Sequence, residues 1–273
     1  MWIPQNIVKP GAGAGAAAAA KPNVTLFRMD DVLVFPERDS KGVKTIGDIV
    51  MKPGAQMFNV YMTPSKQVKS FTTEGDEDQE TVKQKFEGWS PGDGLELSEY
   101  IQNNLGVDMG ILADNCTDGV RRLYGMPCAP MKLQAEQTDD SSGRGITLTY
   151  EQAVGSKFVP AHYAGNVSFA APFATTAELD LLKANGMQYL LAADEAGASI
   201  DVTSIDLDHG TFVTLIGSGG GTPSILSNGE VTSQEATVIL KDGTPWTALK
   251  DASITLQVFN DGATIFLIEQ SRT

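Results

Sequence analysis

Few residues of this 273-residue chain are of a type and spacing that could do chemistry. Its two histidines, His162 and His209, stand in no recognisable nucleophile setting with a Ser or Cys, and no GxSxG or HExxH motif is present. The two cysteines, Cys116 and Cys128, fit neither a CxxC redox pair nor a zinc knuckle, so free thiols are expected. The sequence therefore predicts a protein that is not an enzyme and needs no cofactor or bound metal.

A glycine-rich run at residues 217–221 is the next candidate. It resembles a phosphate-binding loop only in glycine content, because it lacks the Lys-Ser/Thr pair that closes such a loop and is followed by Pro223 rather than a helix. We interpret this run as a flexible turn.

Acidic residues are most dense at residues 74–80. Their carboxylates could ligate a hard cation such as calcium, but the spacing is not that of an EF-hand and a solvated loop needs no metal. If copies form a ring with this loop in its channel, like-charge repulsion over about 8–10 Å would keep a passing polyanion from sticking. The assembly or channel-lining candidates in this loop are Glu74, Asp76, Glu77, Asp78 and Glu80.

The overall charge excludes one large class of function. The 34 acidic and 20 basic residues give a net charge of −14, which argues against a surface that wraps nucleic acid. The acidity could also serve only to keep an abundant protein soluble. No apolar run approaches the roughly 20 residues that cross a bilayer, and residues 1–10 do not read as a secretion signal, so a first role inside the cell is expected.

Residues 1–23 predict an N-terminal arm. Trp2 and Ile3 lie at its tip, and the low-complexity run GAGAGAAAAA occupies residues 11–20. Such a segment is either a flexible linker or an ordered arm that lies on a neighbouring subunit, and in the second case Trp2 and Ile3 would anchor it.

Hydrophobic residues alternate with polar ones through residues 24–170, which predicts a β-rich core. The clearest stretches are residues 58–63, 81–86, 131–136 and 146–151. One helix is predicted at residues 97–105, with Leu97, Tyr100, Ile101 and Leu105 on one face and Gly106 as its stop.

A helical junction is predicted at residues 171–186. Thr175 and Glu178 are spaced as a capping box, Leu179 and Leu182 would point inward, and the helix would span about residues 176–185. Residues 187–273 contain short apolar runs punctuated by the turn dipeptides Asn-Gly and Asp-Gly, which favours a small β-sandwich of immunoglobulin-like size.

Two stretches resemble a known group of proteins. The sequence TTEGDEDQETVKQKFEGWSPGDGLELSEYIQNNLG at residues 72–106, with FVPAHYAG at residues 158–165, is similar to virion structural proteins of tailed bacteriophages that infect Bacteroidetes, and above all to major tail tube proteins. The resemblance covers about the first 170 residues.

This resemblance implies a β-sandwich or barrel core flanked by one helix, with six copies closing a ring and rings stacking into a tube through loops and terminal arms. An appended immunoglobulin-like domain fits this group. The location implied is the virion tail, after assembly in the host bacterial cytoplasm. The partners implied are further copies of the chain, other tail proteins and double-stranded DNA that passes through during ejection without specific binding; no membrane is involved.

Three functions remain open at this point. A tail tube subunit would form long tubes, whereas a capsid decoration or head-to-tail connector protein would use the same folds without stacking. A carbohydrate- or receptor-binding module would need exposed aromatic residues, but Trp246 beside Pro245 is more typical of a packed residue. Open strand edges could pair with a neighbouring copy, although Lys83 and Lys85 could equally guard them.

Overall fold

The structure is a computed structural model that describes residues 6–7, 15–116, 119–141, 143–233, 236–260, 262 and 264–273. The chain forms two compact units. The first comprises Met1–Asp30, Arg38–Thr45 and Phe58–Tyr163, and the second comprises Asp31–Glu37, Ile46–Met57 and Ala164–Thr273. Trp2 and Ile3, the expected anchors of the arm, lie outside the described residues.

The predicted mainly β class is confirmed. In the first part of the chain the strands are β1 (Asn23–Arg28), β2 (Val32–Val34), β3 (Glu37–Arg38), β4 (Thr45–Ile46), β5 (Val50–Met51), β6 (Phe58–Tyr61), β7 (Val68–Glu74), β8 (Thr81–Pro91), β9 (Asp108–Asp114), β10 (Arg121–Tyr124), β11 (Met131–Asp140), β12 (Gly143–Gln152) and β13 (Ala161–Tyr163). In the remainder they are β14 (Phe173–Thr175), β15 (Glu178–Leu181), β16 (Gln188–Leu191), β17 (Asp201–Ile205), β18 (Phe212–Ile216), β19 (Ile225–Leu226), β20 (Ala236–Ile239), β21 (Trp246–Thr247), β22 (Ser253–Asn260) and β23 (Ile265–Arg272).

Helical structure is sparse among the described residues. The α-helix is α1 (Leu95–Asn104), and single turns of 3-10 helix lie at Met29–Asp31, Pro64–Lys66, Lys183–Asn185 and Lys241–Gly243. No helix in the described part of the chain combines the length and the apolar character that crossing a membrane requires.

The first unit is built on one nine-stranded sheet. Seven strands follow the order β13-β10-β9-β11-β12-β8-β7, while β1 also pairs with β9 and β6 pairs with β1. Every pairing is antiparallel. Three of the four stretches predicted from alternation lie wholly on strands of this sheet, and the stretch 58–63 begins with β6 and runs past its end at Tyr61. The inward residues Phe86, Leu133, Leu148 and Tyr150 are buried.

The predicted helix of the first unit is confirmed as α1. Leu97, Tyr100 and Ile101 pack against the core of the sheet, and the Tyr100 hydroxyl is 2.8 Å from that of Tyr150. Leu105, which was expected on the same face, caps the helix and is exposed. Gly106 has φ +76°, the left-handed conformation that suits a residue just past a helix end.

The second unit contains a mixed six-stranded sheet in the order β14-β16-β18-β22-β23-β20. β22 and β23 form the predicted terminal hairpin, but the pairs β14–β16, β16–β18 and β20–β23 are parallel. The antiparallel immunoglobulin-like sandwich expected for residues 187–273 is therefore not what the chain forms. Dipeptides such as Asn228-Gly229 reverse the chain locally without deciding which strand becomes its neighbour, and the Asn228 side chain instead accepts a hydrogen bond from the Leu240 amide.

The helix predicted at residues 176–185 is wrong. Residues Glu178–Leu181 form β15, which pairs in parallel with β17, and a 3-10 turn follows. Leu179 and Leu181 are both buried while Glu178 and Asp180 are exposed, so the apolar period here is two. The spacing of Leu179 and Leu182 suggested a helical face, but the core of the second unit takes Leu179 and Leu181 instead.

Candidate assembly surface

Four neighbouring strands of the first unit, β11-β12-β8-β7, form a continuous antiparallel sheet with two contrasting faces. The inner face is packed on the core through buried residues such as Phe86, Leu148 and Tyr150. The opposite side, here called the outer face, is polar. Its residues are Val68, Ser70, Thr72 and Glu74 on β7, Thr81, Lys83, Lys85, Glu87 and Trp89 on β8, Thr147, Thr149 and Glu151 on β12, and Lys132, Gln134, Glu136, Thr138 and Asp140 on β11.

Ion pairs between neighbouring strands and within β8 neutralise much of the charge on the outer face. Lys83 lies 3.8 Å from both Glu74 and Glu151, and Lys85 lies 3.3 Å from Glu87. Such exposed pairs contribute little to stability, about 0–1 kcal/mol each, but they set the sign of the surface. The five carboxylates of the outer face outnumber its three lysines, so the face carries a modest negative charge.

The aromatic residue of the outer face is held flat against the sheet. Lys66 Nζ lies 3.9 Å from the centre of the Trp89 ring, a cation–π contact. On the neighbouring strand, a Cβ atom at Gly145 would approach the same ring to 2.4 Å. The glycine therefore leaves the space that the indole occupies.

Both lateral edges of this sheet are open within the described part of the chain. β7 ends the strand order and pairs with β8 alone. β11 pairs with β9 at Met131 and Lys132 and forms a single bridge to Leu105 at Leu133, and among the described residues 134–140 pair only with β12. Residues 134–140 are exposed on both faces. The sheet thus offers two unpaired edges of similar length, on strands that run in opposite directions.

The hairpin of β11 and β12 is braced near its tip. Asp93 accepts hydrogen bonds from Arg144 and from Gln137 Nε2 at 3.2 Å, and the Gly92 amide donates to the Arg144 carbonyl at 3.0 Å. The bond from Arg144 lowers the pKa of the Asp93 carboxyl. These contacts connect the hairpin tip to the end of β8 and so fix the position of the open edge of β11 relative to the rest of the sheet.

The acidic candidates of the sequence lie at one end of this sheet. Glu74 ends β7, and the loop that holds Asp76, Glu77, Asp78 and Glu80 leads into β8. All five residues are exposed, and no group of three potential metal ligands occurs among the residues that the structure describes. The acidic loop therefore lies past the ends of β7 and β8, and the outer face is formed by the strands themselves.

The other residues singled out from the sequence serve structural contacts. His162 Nε2 is 3.1 Å from Arg122 Nη1, and His209 Nδ1 accepts a hydrogen bond from the Asn260 amide. Cys116 and Cys128 are exposed free thiols. Trp246 is 3% exposed and belongs to the core of the second unit, as its packed position predicted.

The glycine run at residues 217–221 is closely packed. A Cβ atom at Gly220 would come within 1.9 Å of the Asp194 carbonyl, and the Gly221 amide donates to the Glu195 carboxylate at 2.9 Å. Glycine is needed in this run because the backbone of a neighbouring loop comes too close for a side chain. The glycine content of the sequence does not by itself predict this contact.

The outer face and its edges were not identified from the sequence. The alternation of threonine, lysine and glutamate on β8 and β12 indicates a polar face on each strand. Only the strand pairing shows that these residues share one surface with β7 and β11. Comparison of the chain with protein-family models, with curated proteins and with solved structures finds no match.

Proposed function

We propose that this chain is a structural subunit of a bacteriophage tail tube, which assembles with copies of itself into stacked rings, six copies to a ring, around a channel that conducts DNA. The observation that carries the proposal is the four-stranded sheet with two open edges and a polar outer face. The resemblance of residues 72–106 and 158–165 to tail tube proteins supports the same conclusion.

The two open edges are offset along the strands in the way that a closed barrel requires. Val68, Glu87, Thr149 and Gln134 lie in one row across the sheet. From this row β7 runs one way to Glu74, and the open half of β11 runs the other way to Asp140. The centres of the two edges, Phe71 and Gln137, are therefore about six residues apart along the strand direction, or roughly 20 Å.

This offset predicts the tilt of the strands in a ring. Four strands at about 4.8 Å spacing are roughly 19 Å wide. When the edges of successive copies pair, each copy is therefore displaced along the strand direction by about the same distance as it extends around the ring. The resulting tilt is about 45°, close to the roughly 35–45° of closed barrels. Head-to-tail pairing of β7 with β11 of the next copy thus favours a closed ring.

The outer face suits the wall of a DNA-conducting channel. Six copies would contribute about 24 strands and a barrel roughly 50 Å across at the backbone, larger than the barrels of 16–18 strands that already enclose aqueous channels. A wall of threonines and paired charges with a small excess of carboxylates offers no strong site for phosphate. DNA would pass without binding.

The acidic loop and the arm then belong to contacts between rings. Glu74, Asp76, Glu77, Asp78 and Glu80 would lie at the rim of the channel, because their loop leaves one end of the sheet. Among the described arm residues, Ile7 is 89% exposed, and the strand-like contact of the arm begins at Ala19 and Ala20. In this proposal the arm, with Trp2 and Ile3 at its tip, would contact a stacked ring.

The proposal is tested by the assembly state of the purified protein. We expect negative-stain electron microscopy at high protein concentration to show rings and stacked tubes with a central channel, and light scattering to give the mass of six chains per ring. Isolated rings that never stack would favour a head-to-tail connector. A monomer at all concentrations would contradict self-assembly.

A further inference from the structure

A cavity of about 850 Å³ lies beside the open edge of β7 in the first unit. Its lining includes Lys69 and Phe71 from the inner side of β7, together with Arg122 and Tyr124 of β10. Phe71 is 49% exposed, although it lies on the face of β7 that continues the core. An unfilled space flanked by a half-exposed aromatic side chain at an open strand edge is typical of a docking surface.

The charge of the cavity indicates an acidic occupant. Lys69 and Arg122 line it, and no carboxylate does so among the described residues. Lys69 Nζ donates to Asn115 Oδ1 at 2.6 Å and approaches the Asp114 carbonyl at 3.4 Å, which holds the ammonium at the cavity wall.

We propose that this cavity is the socket for the β11–β12 hairpin of a second copy of the chain, with Asp139 of that hairpin placed against Lys69 and Arg122. The inference rests on the proposed function, since it identifies what occupies the side of β7 when the sheet continues into the next subunit. Asp139 is the acidic residue of the hairpin edge that faces the inner side, so its charge complements the socket, whereas Glu136 and Asp140 belong to the outer face.

The strand register leads to the same pair independently. Placing the centres of the two open edges opposite each other, Phe71 against Gln137, puts Lys69 opposite Asp139 and Ser70 opposite Thr138. This antiparallel register keeps the outer face of β7 in line with the outer face of β11, as a continuous sheet requires. Lys69, Phe71 and Asp139 then all lie on the inner side, where the cavity is.

Asp139 can exchange its present partner at little cost. Its carboxylate is 3.8 Å from Arg144 Nε, and the side chains of the pair are 63% and 55% exposed. A pair this exposed to water is weak, whereas the same carboxylate between Lys69 and Arg122 would be shielded from solvent by the docked hairpin.

Charge reversal tests the socket. Asp139→Lys changes an exposed side chain, so the fold of the monomer should be unaffected, which circular dichroism of a dilute sample checks. We expect the protein concentration at half-assembly, measured by sedimentation velocity, to rise about tenfold or more. Adding Lys69→Asp to the same chain should recover most of that loss. Glu178→Lys, an equal charge change on the second unit, is the control and should assemble like the unmodified protein.

A cross-link provides a second readout that does not depend on folding energetics. In a chain with Cys116→Ser and Cys128→Ser, the pair Ser70→Cys and Thr138→Cys should form disulfides between chains in assembled rings, and Ser70→Cys with Gln134→Cys should form far fewer. Rings that assemble normally with Asp139→Lys and give no inter-chain disulfide would overturn the socket while leaving the tail tube proposal intact. That result would assign the cavity to another occupant, such as the chain's own arm. Failure of the unmodified protein to assemble would instead count against the proposed function.

Discussion

Gly145 shows how one position shapes the outer face of the sheet. The Trp89 ring lies where a side chain at residue 145 would be, and the Ser90 carbonyl is 2.7 Å from the same point. Because protein interiors and covered sheet surfaces are close-packed, a single added methyl group must displace the indole or the strand. The flat surface of the proposed channel wall thus depends on a residue without a side chain.

Gly145→Ala should therefore destabilise the first unit. We expect a loss of about 1–3 kcal/mol in the free energy of unfolding, from overpacking against Trp89. Urea denaturation followed by tryptophan fluorescence measures it. Gly15→Ala is the matched control, because nothing lies within 4 Å of a Cβ atom there, and it should change stability by less than about 0.5 kcal/mol. Equal losses in both variants would contradict this account of Trp89.

Asp48 is the residue whose ionisation should affect the second unit most visibly. Its carboxyl is 3% exposed and accepts hydrogen bonds from the Asn166 backbone amide and side-chain amide at 2.9 Å and 3.2 Å. Burial raises the pKa of this carboxyl, and the bonds from Asn166 offset part of that rise. In the folded protein the neutral form is therefore favoured relative to the unfolded chain.

The sign of the resulting pH dependence follows from the raised pKa. The stabilisation due to the neutral carboxyl is present below the unfolded pKa of about 3.9 and is lost as the pH rises through the folded pKa. Relative to Asp48→Asn, the unmodified protein should lose stability as the pH rises from about 4 through the folded pKa, by at most about 1.4 kcal/mol per pH unit. Urea midpoints of both proteins across this range test it, with Asp76→Asn as a control for removing one carboxyl. An unmodified protein whose stability stays constant or rises relative to Asp48→Asn as the pH increases would contradict this prediction.

At the scale of elements, the sequence predicted local structure well where the apolar period was unambiguous. The alternation in β8, β11 and β12 and the one-sided pattern of α1 were enough to place those elements and most of their buried residues. β15 was mistaken for a helix because leucines occupy positions 179, 181 and 182, a spacing that satisfies both periods over so short a stretch. Only the core of the second unit decides between them.

Pairing partners could not be predicted in the same way. The parallel pair β20–β23 joins strands distant in sequence, and no turn residue encodes that choice. The acidic loop is contiguous in sequence, so its composition was enough to identify it as a candidate. The outer face is spread over four strands and can be recognised only from the register of the sheet.

The open edge of β7 should be sensitive to charge. Thr72→Glu places a carboxylate opposite Lys83 in its own chain, which tolerates it, and near Glu136 of the next copy in the proposed register. We expect ring formation to weaken about tenfold, and Glu136→Lys in the same chain to restore it. Thr237→Glu, on the edge strand β20, provides the control. Sedimentation velocity distinguishes the outcomes, and undiminished assembly of the Thr72→Glu protein would count against pairing at this edge.

At the scale of the whole molecule, the chain contributes to the second unit from two separate early segments as well as from its C-terminal part. β5, in one of those segments, is fixed to the second unit by Gln188, whose side chain accepts a hydrogen bond from the Met51 amide and donates to the Ile49 carbonyl. The sequence predicted domains as contiguous ranges of residues. The early strands of the second unit are only two or three residues long, too short to be recognised as part of a distant domain. Removing residues 187–273 would therefore take away the Gln188 side chain that bonds to Ile49 and to Met51 of the buried strand β5.

The central claim is that the β11-β12-β8-β7 sheet of each copy forms one sector of a closed channel wall. Cryo-electron microscopy of the assembled protein tests this most directly, because the map shows which strands surround the channel. We predict four strands from each subunit, tilted by about 45°, with β7 beside β11 of the next copy and the outer face towards the channel. A channel lined by the second unit, or by this sheet with its core-facing side inward, would contradict the account.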